Sequence, residues 1–409
     1  MQATTQLPPL PLPAGIRARY LAGVNGLDMH YLEAGNEPSA QARPRPTVLL
    51  LHGFPELAYS WRRVMPALAD AGYHVIAPDQ RGYGRTTGWD GHYEAALQAS
   101  HLLSLARDAL ALLRALGIAR VHAVVGHDFG SLVAAWCALV RPDVFAALVL
   151  MSAPFGGPPV LPTLKADARD SRDADQPAQT PRSAAPNLDQ QLAALTPPRL
   201  HYQRYYATRQ ADANMRLCPQ GIHAFLRAYY HVKSADWPHN APHPLAAMTG
   251  AELAQLPRYY VMDLGQGMAE TVAPDMPSAA QIAACAWLPD AELAVYAEEF
   301  ARTGFQGALQ WYRSTGDADH QAQLGLFSGR RVEVPACYIA GQQDWGIHQK
   351  PGAFEAMQTG RVCADWRGSH LLPGAGHWVQ QEQAAAVGQL LLAFLASLAI
   401  SRACAISPA

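Results

Sequence analysis

Short, continuously apolar segments alternate with helical segments along the first 155 residues, and this alternation constrains the fold more than any other feature. Apolar runs without polar alternation are typical of strands that are buried on both faces of a sheet. With amphipathic helices between them, they predict an α/β fold with a mostly parallel sheet covered by helices on both sides. The predicted strands lie within residues 47–53, 72–84, 121–128 and 145–154, and the clearest helix lies within residues 102–117.

The alternation stops near residue 155 and resumes near residue 330 with RRVEVPACYIAGQQD and SHLLPGAGHW. The intervening chain is first rich in Pro, Asp, Ser and Ala, which predicts a partly mobile linker, and then aromatic and helical. We therefore expect a helical cap inserted into a split α/β domain, with an Asn25-Gly26 hairpin near the start. The predicted division is a flexible arm at 1–16, a first core part at 17–155, a linker at 156–200, the cap at 201–325, and a second core part at 326–409.

Composition excludes several kinds of partner. The formal net charge of −2 gives no reason to expect nucleic acid or an acidic membrane surface. No apolar run approaches the ~20 residues of a spanning helix, and the N-terminal segment lacks the basic start and apolar centre of a signal peptide. Six cysteines without metal-like spacing indicate free thiols in a reducing compartment. We expect a cytoplasmic protein with no cofactor and no metal, whose oligomeric state the sequence does not determine.

The segment GHDFG directly follows one predicted strand and has the pattern of a nucleophile turn, in which small residues flank the nucleophile. Gly126 and Gly130 are the small residues, and Asp128 occupies the apex, where serine is usual. An ionised carboxylate displaces a leaving group from saturated carbon and forms an ester whose acyl group belongs to the enzyme. Asp128 therefore predicts alkyl transfer followed by ester hydrolysis.

Asp344 and His377 follow later strands, which gives the chain order nucleophile, acid, base. We expect Asp344 to orient His377, and His377 to take a proton from the water that attacks the ester. The loop HGFPE places Gly53, predicted to permit an unusual backbone turn, beside Phe54. The N–H groups of Phe54 and Phe129 are expected to stabilise the oxyanion that develops on Asp128.

The leaving group decides the substrate class. A halide is stabilised by a weak donor such as an indole N–H, whereas the oxygen of an epoxide needs a proton donor such as a phenol. Phe129, directly after the nucleophile, offers no donor, but the cap segments YQRYY and GFQGALQWYR are rich in tyrosine.

Together these motifs resemble those of epoxide hydrolases of the α/β-hydrolase superfamily. The segments HGFPE, DQRGYG, GHDFGS, YQRYY, GFQGALQWYR, DWGIHQKPG and GAGHWVQQEQ carry the resemblance from residue 52 to residue 383. It implies the α/β-hydrolase fold with a cap, and hydrolysis of a small hydrophobic epoxide to a vicinal diol. It further implies that Tyr202 and Tyr312 polarise the epoxide oxygen and that Glu56 helps to position the hydrolytic water. This family frequently has Trp after the nucleophile, where this chain has Phe129.

Several alternatives stay open at this point. YQRYY alone does not decide which of Tyr202, Tyr205 and Tyr206 faces the site, and Glu56 could equally be a solvated loop charge. The competing functions are a haloalkane-type dehalogenase with the same nucleophile and a non-catalytic small-molecule binder. Phe129 argues against the former, and a retained water-activating base argues against the latter.

Overall fold

The computed structural model describes residues 7–36, 45–161 and 187–405, with side chains described as far as residue 398. An eight-stranded sheet in the order β1-β2-β4-β3-β5-β6-β9-β10 forms its centre. The strands are β1 (Ile16–Val24), β2 (Leu27–Ala34), β3 (Thr47–Leu51), β4 (His74–Pro78), β5 (Ala123–His127), β6 (Leu148–Met151), β7 (Arg199–His201), β8 (Val261–Asp263), β9 (Val332–Gly341) and β10 (Cys363–Leu372). From β4 to β10 neighbouring strands are parallel, while β1-β2 and β2-β4 pair antiparallel.

Helices connect and cover these strands. They are α1 (Met65–Asp70), α2 (Leu102–Ala115), α3 (Phe129–Val140), α4 (Leu188–Ala193), α5 (Tyr202–Tyr206), α6 (Gln210–Arg216), α7 (Gly221–Lys233), α8 (Gly250–Leu253), α9 (Met268–Val272), α10 (Ala279–Ala284), α11 (Asp290–Thr303), α12 (Gln306–Ser314), α13 (Ala318–Gly325), α14 (Ala353–Gln358), α15 (Val379–Glu382) and α16 (Ala384–Ala405). Short 3₁₀ helices lie at Ala58–Trp61, Leu97–Ser100, Ala273–Asp275 and Trp345–Ile347.

The central strands are buried on both faces, as their unbroken apolar sequences predict. Every residue of β3, TVLLL, is buried. Leu49 packs into a core with α2, α3 and the cap, whereas Leu50 packs on the opposite face with α1 and α16. Alternate side chains of this strand thus pack into the hydrophobic layers on opposite faces of the sheet, because successive side chains of a strand point to opposite faces.

The predicted N-terminal hairpin is present. Asn25 and Gly26 both have positive φ, 51° and 81°, as a two-residue type I′ turn requires. Before it, Leu10 and Leu12 pack against the core, and the Tyr59 hydroxyl donates to the Pro11 carbonyl at 3.1 Å. Residues 1–6 of the predicted arm lie outside the described residues.

The insertion between β6 and β9 is mainly helical, but it also contains a small antiparallel sheet of β7 and β8 that the sequence did not predict. Helix α4 lies within the range predicted as linker, and its Asn187 cap accepts a hydrogen bond from the Gln190 N–H. Residues 162–186 of that range lie outside the described residues. Buried polar contacts join the insertion to the core, among them Arg85 Nε with Glu299 Oε1 at 2.7 Å.

In the part of the chain that the structure describes, no helix is both long enough and apolar enough to cross a membrane. The described cysteines, which exclude Cys404, have free thiols: Cys137, Cys218, Cys285, Cys337 and Cys363.

Candidate active site

Asp128 lies on a strained turn between β5 and α3. Its φ of 52° is in the left-handed region, which costs free energy for a residue with a Cβ. The turn is tight on both sides: a Cβ on Gly126 would lie 2.1 Å from the Gly130 carbonyl oxygen. A Cβ on Gly130 would lie 2.3 Å from the carbonyl oxygen of His52. The two small residues of the motif are therefore required by close backbone approach.

The HGFPE loop contacts the carboxylate of Asp128 directly. The Phe54 N–H donates to Asp128 Oδ1 at 2.9 Å, and the N–H of Phe129 belongs to the first residue of α3, adjacent to Asp128. The predicted reason for Gly53 is wrong, because its φ does not lie in the left-handed region. Glycine is needed there for space, since a Cβ on Gly53 would lie 2.4 Å from Asp128 Oδ1.

The structure brings Asp128, His377 and Asp344 together. His377 Nε2 lies 3.2 Å from Asp128 Oδ2, and His377 Nδ1 lies 3.1 Å from Asp344 Oδ1. Asp344 Oδ1 also accepts the Gly346 N–H at 2.7 Å, which fixes the carboxylate. All three side chains are buried. The imidazole thus lies between two carboxylates, one on each ring nitrogen.

The pKa values of Asp128 and His377 depend strongly on the charges of their buried neighbours. Burial alone would raise the pKa of Asp128, but the adjacent His377 outweighs it and holds that pKa well below its ordinary value. Burial would lower the pKa of His377, but the carboxylates of Asp344 and Asp128 raise it to about 9. These shifts favour an ionised Asp128 next to a protonated His377 at neutral pH.

Tyr202 and Tyr312 line the same cavity as Asp128, with a volume of about 290 Å³. The Tyr202 hydroxyl donates to Gln349 Oε1 at 3.2 Å and accepts from Gln203 Nε2 at 3.1 Å. Within the described residues the Tyr312 hydroxyl has no hydrogen-bond partner. Burial, followed by the charge of Asp128, raises the pKa of both phenols, so both keep their protons at neutral pH.

The other tyrosines of YQRYY point elsewhere. The Tyr206 hydroxyl donates to the Tyr229 hydroxyl at 3.1 Å, and neither Tyr205 nor Tyr206 contributes to the cavity wall. The geometry thus favours Tyr202 as the tyrosine of this segment that faces Asp128.

The cavity has both apolar and polar lining residues. Its apolar lining includes Phe129, Leu132, Trp136, Phe155 and Leu324, and its polar lining includes His201, Gln203, Gln349 and Lys350. A pocket with this mixed lining suits a small ligand that is mainly hydrophobic and carries a polar atom.

Glu56 is fully buried, so the alternative of a solvated loop charge is wrong. Its Oε2 accepts the Gly53 N–H at 3.0 Å and lies 2.5 Å from His127 Nδ1, while Oε1 accepts from Gln380 Nε2 at 2.8 Å. His127 Nε2 in turn lies 2.7 Å from the His377 carbonyl oxygen. Glu56 therefore braces the oxyanion loop and, through His127, the backbone of His377; a role in positioning water stays a prediction.

Sequence reasoning missed Glu382 and Lys233. Glu382 accepts the N–H groups of Ala235 at 2.8 Å, Gly376 at 2.9 Å and Trp378 at 2.9 Å, and so fastens the His377 loop to the end of α7. Its place in GAGHWVQQEQ, close after His377, was a usable signal. Lys233, in YYHVKSADW, is a lone lysine in an aromatic segment, and its Nζ lies 5.8 Å from the ring centre of Tyr202.

Comparison with known proteins identifies the family of this chain. Residues 46–236 match a family model described as alpha/beta hydrolase fold. The chain is 32% identical over 354 residues to Epoxide hydrolase B of Mycobacterium tuberculosis, covering 86% of this chain and 92% of that protein. This chain belongs to the epoxide hydrolase family. Epoxide hydrolase A of the same organism is 32% identical over 400 residues, covering 94% of this chain and 99% of that one.

Solved epoxide hydrolases share the fold over nearly the whole chain. An epoxide hydrolase from an endophytic Streptomyces gives a TM-score of 0.71 at 30% identity and covers 94% of this chain and 97% of its own. Potato (Solanum tuberosum) epoxide hydrolase I gives 0.68 at 30% identity and covers 93% and 99%. The predicted α/β-hydrolase fold and the predicted family are confirmed.

Proposed function

We propose that this epoxide hydrolase converts small hydrophobic epoxides to vicinal diols through an alkyl-enzyme ester on Asp128. One observation carries the proposal: the carboxylate of Asp128 lines a cavity with a backbone donor on one oxygen and an imidazole beside the other, and the phenols of Tyr202 and Tyr312 line the same cavity.

In the first step, Asp128 Oδ2 attacks an epoxide carbon and the carbon–oxygen bond of the ring breaks. The electron pair of that bond goes to the epoxide oxygen, which takes a proton from Tyr202 or Tyr312. Asp128 needs no base, because its pKa is already held well below neutrality. Asp128 is buried, so its carboxylate is poorly solvated, which makes it more nucleophilic.

Ester formation then changes the charge around His377. Asp128 loses its negative charge, so one of the two carboxylates that raise the pKa of His377 no longer does so. His377 releases its proton, which restores the phenol that was ionised in the first step. The imidazole is then neutral and can act as a base.

In the second step, His377 takes a proton from water, and the resulting hydroxide attacks the ester carbonyl carbon. The N–H groups of Phe54 and Phe129 stabilise the oxyanion on Asp128 Oδ1. Collapse of the tetrahedral intermediate breaks the ester bond. The proton of the hydroxyl group that came from water passes to the leaving alkoxide, and the diol is released. Asp128 is again a carboxylate and His377 is again protonated, so each turnover consumes one epoxide and one water.

The free thiols of buried Cys137 and Cys337 support a reducing, cytoplasmic location for this reaction.

The test is a screen of purified protein against varied epoxides and haloalkanes, with diol and halide measured separately. The wild type should release diol, Asp128→Asn should not, and Asp143→Asn at an exposed ion pair should behave as wild type. Halide release without diol, or full activity of Asp128→Asn with its amide shown by mass to be intact, would contradict the proposal.

A further inference from the structure

Lys233, the last residue of α7, is a buried cation that the steps above do not use. The residue is 3% exposed, and it is one of three lysines in the chain. Among the described residues its ammonium has no hydrogen bond and no ion pair. A buried ammonium without such partners is costly, so other favourable contacts are needed for Lys233 to stay charged.

Aromatic rings from four segments of the chain surround the ammonium. Nζ lies 4.8 Å from the ring centre of Tyr260, 5.1 Å from that of Tyr229, and 5.8 Å from those of Tyr202, Tyr259 and Trp378. All five distances lie within the range of favourable cation–π contact. Burial lowers the pKa of Lys233, while the carboxylates of Asp128, Asp344 and Glu56 oppose that shift.

This cage is joined directly to the His377 loop. The Lys233 carbonyl accepts the His377 N–H at 2.8 Å, and a Cβ on Gly376 would lie 2.4 Å from that carbonyl oxygen. Trp378 belongs to the cage and also packs edge-on against the His377 ring at 4.7 Å. The ammonium is therefore held in a constant position relative to the imidazole.

We propose that the caged ammonium of Lys233 is the counter-charge that allows His377 to give up its proton once Asp128 is esterified. The proposal rests on the ester mechanism above. The charged or titratable groups around His377 are Asp128 after β5, Asp344 after β9, Lys233 at the end of α7, Glu382 in α15, and the Glu56–His127 pair, whose imidazole lies 5.1 Å from that of His377.

The reason is a balance of charge. In the alkyl-enzyme, Asp128 is neutral, and Asp344 still favours the protonated imidazole. Lys233 acts in the opposite sense, because a nearby positive charge disfavours imidazolium and lowers the pKa of His377. Without that charge His377 would stay protonated over a wider pH range and the ester would persist. Lys233 is thus a positioning residue that acts through His377 and not on the substrate.

The test compares Lys233→Met with Lys233→Arg in single-turnover experiments that resolve ester formation from ester hydrolysis. Arg120→Met, which removes an exposed positive charge near the opposite end of β5, is the matched control. Lys233→Met should form the ester at a rate within severalfold of wild type. Its ester hydrolysis at pH 7 should be slower by about tenfold, with the acidic limb of the pH profile moved up by about one unit.

Lys233→Arg should restore the wild-type profile, and Arg120→Met should not change it. A Lys233→Met profile that is lowered but not displaced along the pH axis would overturn the proposal, because a purely structural lysine would give that result. Absence of an ester on Asp128 in the wild type would instead overturn the mechanism on which the proposal rests.

A second measurement does not depend on turnover. Asp128→Asn removes the charge of the nucleophile as esterification does, so the imidazole of His377 can be titrated by NMR in that background. Adding Lys233→Gln should raise the pKa of His377 by about one unit, and an unchanged pKa would contradict the proposal. Failure of both neutral variants to fold while Lys233→Arg folds would also contradict it, since the ammonium would then be a structural charge.

Discussion

Replacing each phenol of the cavity with phenylalanine should slow ester formation, and by unequal amounts. The Tyr312 hydroxyl has no hydrogen-bond partner among the described residues, so donating to the epoxide oxygen breaks no hydrogen bond to another of those residues. Loss of one such donor in a buried site costs about 2.7–4 kcal/mol, which slows ester formation by about 10²–10³-fold. Tyr312→Phe should therefore show the larger defect.

Tyr202 differs from Tyr312, because its hydroxyl already donates a hydrogen bond to Gln349 at 3.2 Å. It must exchange that bond for one to the substrate, and a neutral hydrogen bond is worth about 1 kcal/mol net. Tyr202→Phe should then be about fivefold less impaired than Tyr312→Phe. The double variant should form almost no ester while still folding, since each change removes one oxygen and little volume.

The assay is rapid-quench measurement of ester formation at saturating epoxide, followed by mass analysis of the protein. Tyr206→Phe is the matched control, because Tyr206 is in the same helix but its hydroxyl donates to Tyr229 at 3.1 Å. It should form the ester at nearly the wild-type rate. Near-wild-type rates for both Tyr202→Phe and Tyr312→Phe would refute the assignment, and a reversed order would refute the hydrogen-bond reasoning.

Three further predictions concern the rest of the site. His377→Gln should accumulate an adduct equal to the substrate mass on the Asp128 peptide, and an adduct on another peptide would contradict the assigned nucleophile. Gly53→Ala should slow ester formation by at least about 10²-fold, because its Cβ would lie 2.4 Å from Asp128 Oδ1, whereas Gly388→Ala, whose nearest neighbour would be 3.5 Å away, should not. The pKa of His377, raised from 6.5 to about 9, adds stability that is fully present below pH 6.5 and lost as the pH rises through about 9. Denaturant titrations should therefore show a falling free energy of unfolding over that range, and a much smaller fall in Asp128→Asn.

The sheet was predictable because the sequences of its central strands are continuously apolar. Segments such as TVLLL have no polar alternation, and the Asn25-Gly26 turn requires a backbone that few other dipeptides adopt readily. The strands β7 and β8 were not predictable in this way, since three residues are too few to show a pattern of apolar residues.

The order of Asp128, Asp344 and His377 was also readable, because each follows a strand whose carboxyl end lies at the same edge of the sheet. The choice between Tyr202 and Tyr206 was not, because residues four apart share one face of a helix and both are buried. The structure separates them, because Tyr202 lines the cavity whereas the Tyr206 hydroxyl donates to Tyr229. Lys233 was missed for a similar reason: its cage is assembled from distant segments of the chain.

The most direct test of the ester mechanism follows oxygen through a single turnover in water enriched in heavy oxygen, with enzyme in excess over epoxide. Because water attacks the carbonyl carbon of Asp128, the label should appear in the Asp128 carboxylate, and the diol of that turnover should carry an unlabelled oxygen from the enzyme. Label in the first-turnover diol, with none in Asp128, would mean that water attacks the epoxide directly and that Asp128 is not the nucleophile.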